Sequence, residues 1–313
     1  MDSKRVVLVV AILEDLGVDE VVQQLRLRAA DEDLQVMRVD PNDVGDLTML
    51  SARIADGEVW FELTMQDVTV DSRDIVAVLW RPPVTSPEDP GGPDGQVQLE
   101  ALLRACEGIL WIGGPDDRYR AQSPAVQLVA AAKAGFPTLP VAIDCDPYGL
   151  SRFSSQFKSG VRLMSWGEPH MIGTGGTMGD HMAQTRSFVM QKHVEFVHRV
   201  RIVNIDGILF AAELPLPRPV APPWERGRNV PSRRPMRPIA VIPPGAQSAV
   251  QHFAAQLGLT YVVVDLRADT DGLWWFEGAD PAGDFWPLEH DTGQPVSRFL
   301  ADLLADHRRV VTP

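Results

Sequence analysis

Four histidines, His170, His181, His193 and His198, fall within one short stretch of the chain, and histidine is the side chain that most often ligates zinc or moves protons near neutral pH. Their spacing argues against a metal. His193 and His198 would lie on opposite faces of a regular strand, and no cysteine or clustered acid accompanies them. Solvated or capping histidines fit better. The run Gly173 to Gly179 (GTGGTMG) resembles a phosphate-cradling loop, but it lacks the Lys and the Ser or Thr of a P-loop, and no buried strand leads through it into a helix. It reads as a flexible hairpin. Between Arg218 and Arg237, six Arg face one Glu, with five Pro interleaved. Guanidiniums on a proline-stiffened loop, Arg226, Arg228, Arg233 and Arg234 among them, can take carboxylates bidentately, so an acidic peptide fits this segment; a solvated loop balancing an acidic body is the plain alternative. Asp116 and Asp117 beside Arg118 read as exposed mixed-charge surface. Trp274, Trp275, Phe276 and Phe285 read as core, whereas Trp286, beyond the strand, is a candidate for substrate contact. Cys106 and Cys145, the two cysteines, lack Cys-x-x-Cys spacing and read as small core residues.

The elements that must position these groups are those of an α/β protein. Arg5 to Leu13 is an apolar, β-branched run of the kind that lies in a parallel sheet covered on both faces. A helix capped by Asp19, with Val21, Val22, Leu25 and Leu27 as its apolar stripe, leads to a strand from Leu34 to Val39. Alternation predicts a hairpin over Glu58 to Leu63 and Asp67 to Val70, then a buried strand from Ile75 to Trp80. A helix is expected at Leu99 to Cys106, a short strand at Ile109 to Ile112, and a helix at Ser123 to Ala134, with Pro124 at its first position and Gly135 as its stop. Strands follow at Thr138 to Ile143, Phe188 to Val203 and Ile208 to Glu213. Ala246 to Gly258 reads as a helix, Thr260 to Leu266 and Leu273 to Glu277 as a strand pair across Asp271-Gly272, and Pro295 to Ala305 as the closing helix.

Composition narrows the function classes. The chain has 313 residues, 45% hydrophobic and 23% charged, with a formal net charge of −13, which argues against nonspecific binding to nucleic acid or an anionic membrane. The run Val6 to Leu13 is far shorter than the roughly 20 residues that span a bilayer. With no polybasic segment before it and no small-residue cleavage site after it, it reads as a buried strand rather than a signal peptide, and the cytoplasm is the expected compartment.

The segment Val264 to Leu304 (VDLRADTDGLWWFEGADPAGDFWPLEHDTGQPVSRFLADLL) is similar to the C-terminal signature of ATP-grasp peptide maturases, the ligases that build side-chain ester and amide rings in microviridin-type and other graspetides. Ile75 to Pro82 resembles the strand and Trp-x-Arg-Pro element of their N-terminal domain. Asp116 to Gly135 resembles the stretch that opens their central domain, and Met190 to Glu213 the strand, turn and strand of their nucleotide-binding lobe. The resemblance implies ATP-grasp architecture, with an N-terminal βαβ-type domain over 1–118, a small central domain over 119–187 and a C-terminal lobe over 188–313. It also implies ATP and Mg2+ as cofactors, a ribosomal precursor peptide rich in Asp and Glu as partner, other modifying enzymes of the pathway beside it, and possible homodimers. The implied reaction phosphorylates an Asp or Glu side chain, and a hydroxyl or amine then displaces the phosphate; magnesium held by acidic oxygens and lysines on the phosphates are what such a transfer needs.

Against that pattern the sequence departs at the positions the chemistry uses. Pro124 stands where the first phosphate lysine is expected and Met164 where the second is, with Arg162 the nearest replacement cation and Lys158 farther away. In the nucleotide stretch, Gln191 and Val194 match, but Lys192 replaces the usual acid, and Arg199 takes the place of an Asp beside the retained Arg201. The loop's usual Asp-Trp-Arg becomes Pro223-Trp224-Glu225. Of the metal set, Asp265 is kept, Asp280 stands for an Asn, and Gly278 replaces the Glu. Glu277 comes one position early and should point away from the site unless a bulge re-aims it. The expectation is therefore a peptide-binding member of natural-product maturation with a degenerate or rebuilt nucleotide site. The alternatives are an active ATP-dependent carboxylate ligase, with Arg201 and Arg162 as catalytic cations, or an enzyme of another reaction type reusing the cleft.

Overall fold

The computed structural model describes residues 4–30, 33–81, 94–121, 123–144, 147–157, 161–164, 188–214 and 235–308. The opening apolar run forms β1 (Arg5–Ala11), buried throughout, because it lies between two parallel neighbours in a covered sheet. Helix α1 (Leu16–Ala29) follows, then β2 (Leu34–Val39). Asp15 caps α1, its Oδ1 accepting from the Val18 N–H at 3.1 Å. Asp19, expected in that role, stands inside the first turn and pairs with Arg38 of β2. Val18, Val21, Val22 and Leu25 form the buried stripe, while Leu27, expected to join it, is exposed, since two residues beyond Leu25 is the far side of a 3.6-residue turn.

Strands β3 (Thr48–Ala55), β4 (Glu58–Met65) and β5 (Val68–Asp71) make an antiparallel sheet. Alternation predicts β4 and β5 but not β3, whose residues beyond Leu50 are exposed on both faces. The chain then gives β6 (Ile75–Arg81), α2 (Asp94–Ala105) and β7 (Leu110–Ile112), completing a parallel sheet of order β2-β1-β6-β7. After α3 (Pro115–Ala121) comes α4 (Pro124–Ala134), with Pro124 in its first turn and Gly135 at φ 98° as its left-handed cap. A Cβ on Gly135 would meet nothing within 4 Å, so Gly135→Ala should cost only backbone strain, about 1 kcal/mol. A thermal melt unchanged by that substitution would contradict the assignment.

A smaller antiparallel sheet, β8-β10-β9, is built from β8 (Val141–Asp144), β9 (Val161–Met164) and β10 (Phe188–Lys192), with α5 (Pro147–Ser154) after β8. A third antiparallel sheet, of order β13-β12-β11-β14-β15, comprises β11 (His198–Ile205), β12 (Ile208–Leu214), β13 (Arg237–Pro238), β14 (Tyr261–Ala268) and β15 (Trp274–Asp280). Helix α6 (Pro244–Leu257) precedes β14, and α7 (Trp286–Thr292) and α8 (Val296–Asp306) close the fold. The single strand expected over Phe188 to Val203 is thus two strands in different sheets, joined by residues 193–197. His193 lies in that join, so it does not share a strand with His198, whose Nδ1 sits 2.8 Å from Glu213 Oε1.

Alternation on β11 and β14 serves two cores. Val200, Ile202, Val262, Val264 and Leu266 pack beneath α4 and α6, while Val203, Ile205, Tyr261 and Val263 on the opposite face pack with β1, β6 and α8. Leu300 and Leu304 of α8 are fully buried there, each worth about 2 kcal/mol of apolar burial. The second core therefore locks the C-terminal sheet onto the N-terminal one. No helix among the described residues is long and apolar enough to cross a membrane.

Candidate functional site

On the face of β11 and β14 that carries Val203 and Val263, the strand ends farther from the N-terminal sheet bear charges instead of apolar groups. Register places Arg201 opposite Asp265 and Arg199 opposite Arg267. Arg201 donates from Nε to Asp265 Oδ1 at 2.8 Å and from Nη2 to Oδ2 at 2.9 Å. This is a bidentate fork, and those bonds hold the guanidinium above its ordinary pKa.

Asp265 faces Gly278, whereas Leu266 faces Phe276, so Glu277 is an extra residue on β15. That bulge is the condition under which Glu277 turns toward the site. Its side chain is 9% exposed, bonded to Arg267 and 3.7 Å from the Arg199 Nε. Glu277 thus stands among groups from the Asp265 face. The condition set for re-aiming it is met, because strand alternation slips by one residue at the bulge.

At the end of β15, Asp280 Oδ1 accepts from the Ala282 N–H at 2.8 Å, and beyond it Asp284 Oδ1 accepts from the Trp286 N–H at 2.9 Å. Arg81, at the end of β6, reaches this loop: its Nε donates to Asp15 Oδ2 at 3.0 Å, and its Nη1 to the Gly283 carbonyl at 3.1 Å. The Gly283 carbonyl also accepts from the Tyr261 hydroxyl at 2.6 Å, and burial pushes that phenol's pKa well up, so Tyr261 serves as a donor. A chain of charges therefore runs from β6 through the 280–284 loop to β11.

Solved structures share this arrangement of sheets. A RiPP-associated ATP-grasp ligase of Chryseobacterium gregarium, in complex with ADP and a leader and core peptide, superposes with a TM-score of 0.80 at 18% identity, over 98% of this chain and 100% of that one. The macrocyclase MdnC of Microcystis aeruginosa MRC, bound with precursor peptide MdnA, gives 0.78 at 15% identity over 96% and 99%. D-alanyl-alanine synthetase A of Vibrio cholerae gives 0.59 at 11% identity over 97% and 98%. The chain has the ATP-grasp fold. No family model matches it, and no curated protein does.

An ATP-grasp cleft normally holds magnesium on acidic oxygens, and here the acids expected for that task are bonded to arginines. Among the described residues no three His, Cys, Asp or Glu side chains come together as a metal site. Asp265 has both oxygens on Arg201, and Glu277 is engaged by Arg267 and Arg199. A divalent cation would have to displace guanidiniums that already balance these acids.

The nucleotide candidates divide in the same way. Gln191 is 1% exposed and lies opposite Arg162 on β9, while Met164 lies opposite Val189; the side chains of Arg162 and Met164 fall outside the described residues. Lys192 has its Nζ 5.8 Å from the centre of the Phe157 ring, and its N–H donates to the Pro140 carbonyl at 3.0 Å. Val194 is half-buried in the join between the sheets. Lys158, His170, His181, the 173–179 run, Cys145, and Arg226, Arg228, Arg233 and Arg234 lie outside the described residues. Cys106 is buried, as expected. Trp286 begins α7 and packs over Gly17, where an added Cβ would stand 3.1 Å from its own.

Two site residues escape the sequence reading. Arg267 carries no motif, and only the register opposite Arg199 gives it a role. Arg118, read with Asp116 and Asp117 as exposed surface, is half-buried. Asp117 is itself buried, bonded to Arg120 at 2.5 Å, and burial raises its pKa despite that bond. Helix α3 thus turns Asp117 and Arg118 inward, while Asp116, Tyr119 and Arg120 stay exposed as the sequence reading of that surface has it.

Proposed function

We propose that this chain acts in the maturation of a ribosomally made peptide, holding an Asp- and Glu-containing precursor in its cleft while its MgATP site is degenerate or rebuilt. The observation that carries the reading is the pairing of Asp265 and Glu277, the acids expected to ligate magnesium, with Arg201 and with Arg199 and Arg267. With those acids held by guanidiniums, their oxygens are not free for magnesium, which is what supports a cleft that works without nucleotide. The structural neighbours bound to leader, core or precursor peptides support the peptide as ligand class. The cytoplasm, a homodimer and other modifying enzymes as companions belong to the same reading.

A second reading, an active ATP-dependent carboxylate ligase, is favoured by one observation: the bulge that brings Glu277 toward Asp265 restores an acid where Gly278 removes one. Incubation with ATP, Mg2+ and a short peptide rich in Asp, Glu, Ser and Thr separates the two. The expected result is a stable complex with unchanged peptide mass and no ADP. A peptide lighter by one water per bond, with matching ADP, would establish the ligase instead.

A further inference from the structure

Arg118 is charged, half-buried and, among the described residues, bonded to no carboxylate at its Nε. Gly113, at φ +70°, lets the chain turn against the end of β6, where a Cβ would stand 2.9 Å from the Trp80 carbonyl oxygen, and α3 then brings Arg118 beside Arg81. The cations around it are provided for: Arg81 by Asp15, Arg104 by Asp116 and Arg120 by Asp117. Arg118 Nε is buried and finds no hydrogen-bond partner among the described residues. Burial lowers its pKa and outweighs the carboxylates of Asp280 and Glu100, which act to raise it, while the positive charge of Arg81 lowers it further. A guanidinium stays charged at any physiological pH, so this placement costs stability in the free protein. Such a cost is offset when an anion arrives.

We propose that Arg118, backed by Arg81, is a carboxylate-binding subsite that takes an acidic side chain of the peptide in the cleft. This rests on the reading of the chain as a binder of acidic peptide, and it adds the residue that selects the acid. A carboxylate of the ligand accepts from the buried Nε and from a terminal nitrogen of Arg118. The same fork already joins Arg201 to Asp265 within the protein.

The test uses the full chain with two labelled peptides, one of alternating Glu and Thr and the other with Gln for every Glu, followed by fluorescence anisotropy. Wild type should bind the Glu peptide more tightly than the Gln peptide. Arg118→Ala should weaken the Glu peptide by about 10- to 100-fold, the worth of a charge-assisted pair, and leave the Gln peptide unchanged. Arg118→Lys should recover part of the loss. The melting temperature of Arg118→Ala should be equal to or above that of wild type, since the free protein gives this guanidinium so little; a merely structural arginine would lower it. Glu-peptide binding unchanged by Arg118→Ala overturns the subsite and leaves the peptide-binding reading intact. A wild type that binds neither peptide, or both alike, overturns that reading and the subsite with it.

Discussion

Addition of MgATP at about millimolar concentration should leave the unfolding temperature of this protein unchanged, because a site that is not occupied gives no linkage stabilisation. The expectation follows from the residues that the resemblance sets at the phosphate positions. Pro124, where the first lysine is expected, sits in the first turn of α4 and offers no cation. Met164, at the second, is uncharged, and Lys192 is turned onto the Phe157 ring. Charge-assisted hydrogen bonds are worth about 1.5–3 kcal/mol each, so losing two lysines removes roughly 3–6 kcal/mol, or about two to four orders of magnitude in affinity. An intact site filled at about 100 times its dissociation constant would instead gain about 2.7 kcal/mol and melt several degrees higher. A rise of that size, dependent on Mg2+, would refute the degenerate site directly, and calorimetric titration would give its affinity.

Glu277→Gln should destabilise the protein by about 3 kcal/mol, a large effect for a side chain that the ligase reading treats as a metal ligand. The carboxylate stands between Arg199 and Arg267, which register places directly opposite one another. Without it, two like charges confront each other on neighbouring strands with little water to screen them. The partial exposure of both arginines keeps the figure at the lower end of the range for a broken buried pair. Urea unfolding should show a lower midpoint at unchanged slope, and a double-mutant cycle with Arg267→Ala should return a coupling of about 1–3 kcal/mol. A Glu277→Gln variant as stable as wild type would mean that the carboxylate is not committed to the arginines and is free to hold a cation.

Both expectations depend on contacts whose partners are far apart in sequence, and that separation decides how much could be read beforehand. Arg201 and Asp265 are 64 positions apart, and although each matches the resemblance, nothing in their types announces a bidentate pair. The bulge at Glu277 depends on how β15 settles against β14, a matter of sheet register rather than local propensity. Residues 193–197 separate β10 from β11, yet the pattern from Phe188 to Val203 continues across them, so a break between two sheets was invisible locally. Arg118 lies on a helix too short for periodicity to tell its buried face from its exposed one.

What the sequence determined by itself was local in origin: the buried runs of β1 and β6, Pro124 and Gly135 bracketing α4, Gly258 ending α6, and the turn at Asp271-Gly272 between β14 and β15. These follow from backbone sterics and burial, which act within a few residues. Pro124, Met164 and Asp265, on which the reading of a degenerate site rests, are likewise there to be read in the chain itself. Only the tertiary structure decided which acids are already neutralised, because an ion pair depends on distance and desolvation, and both are set when β11, β14, β15 and α3 come together.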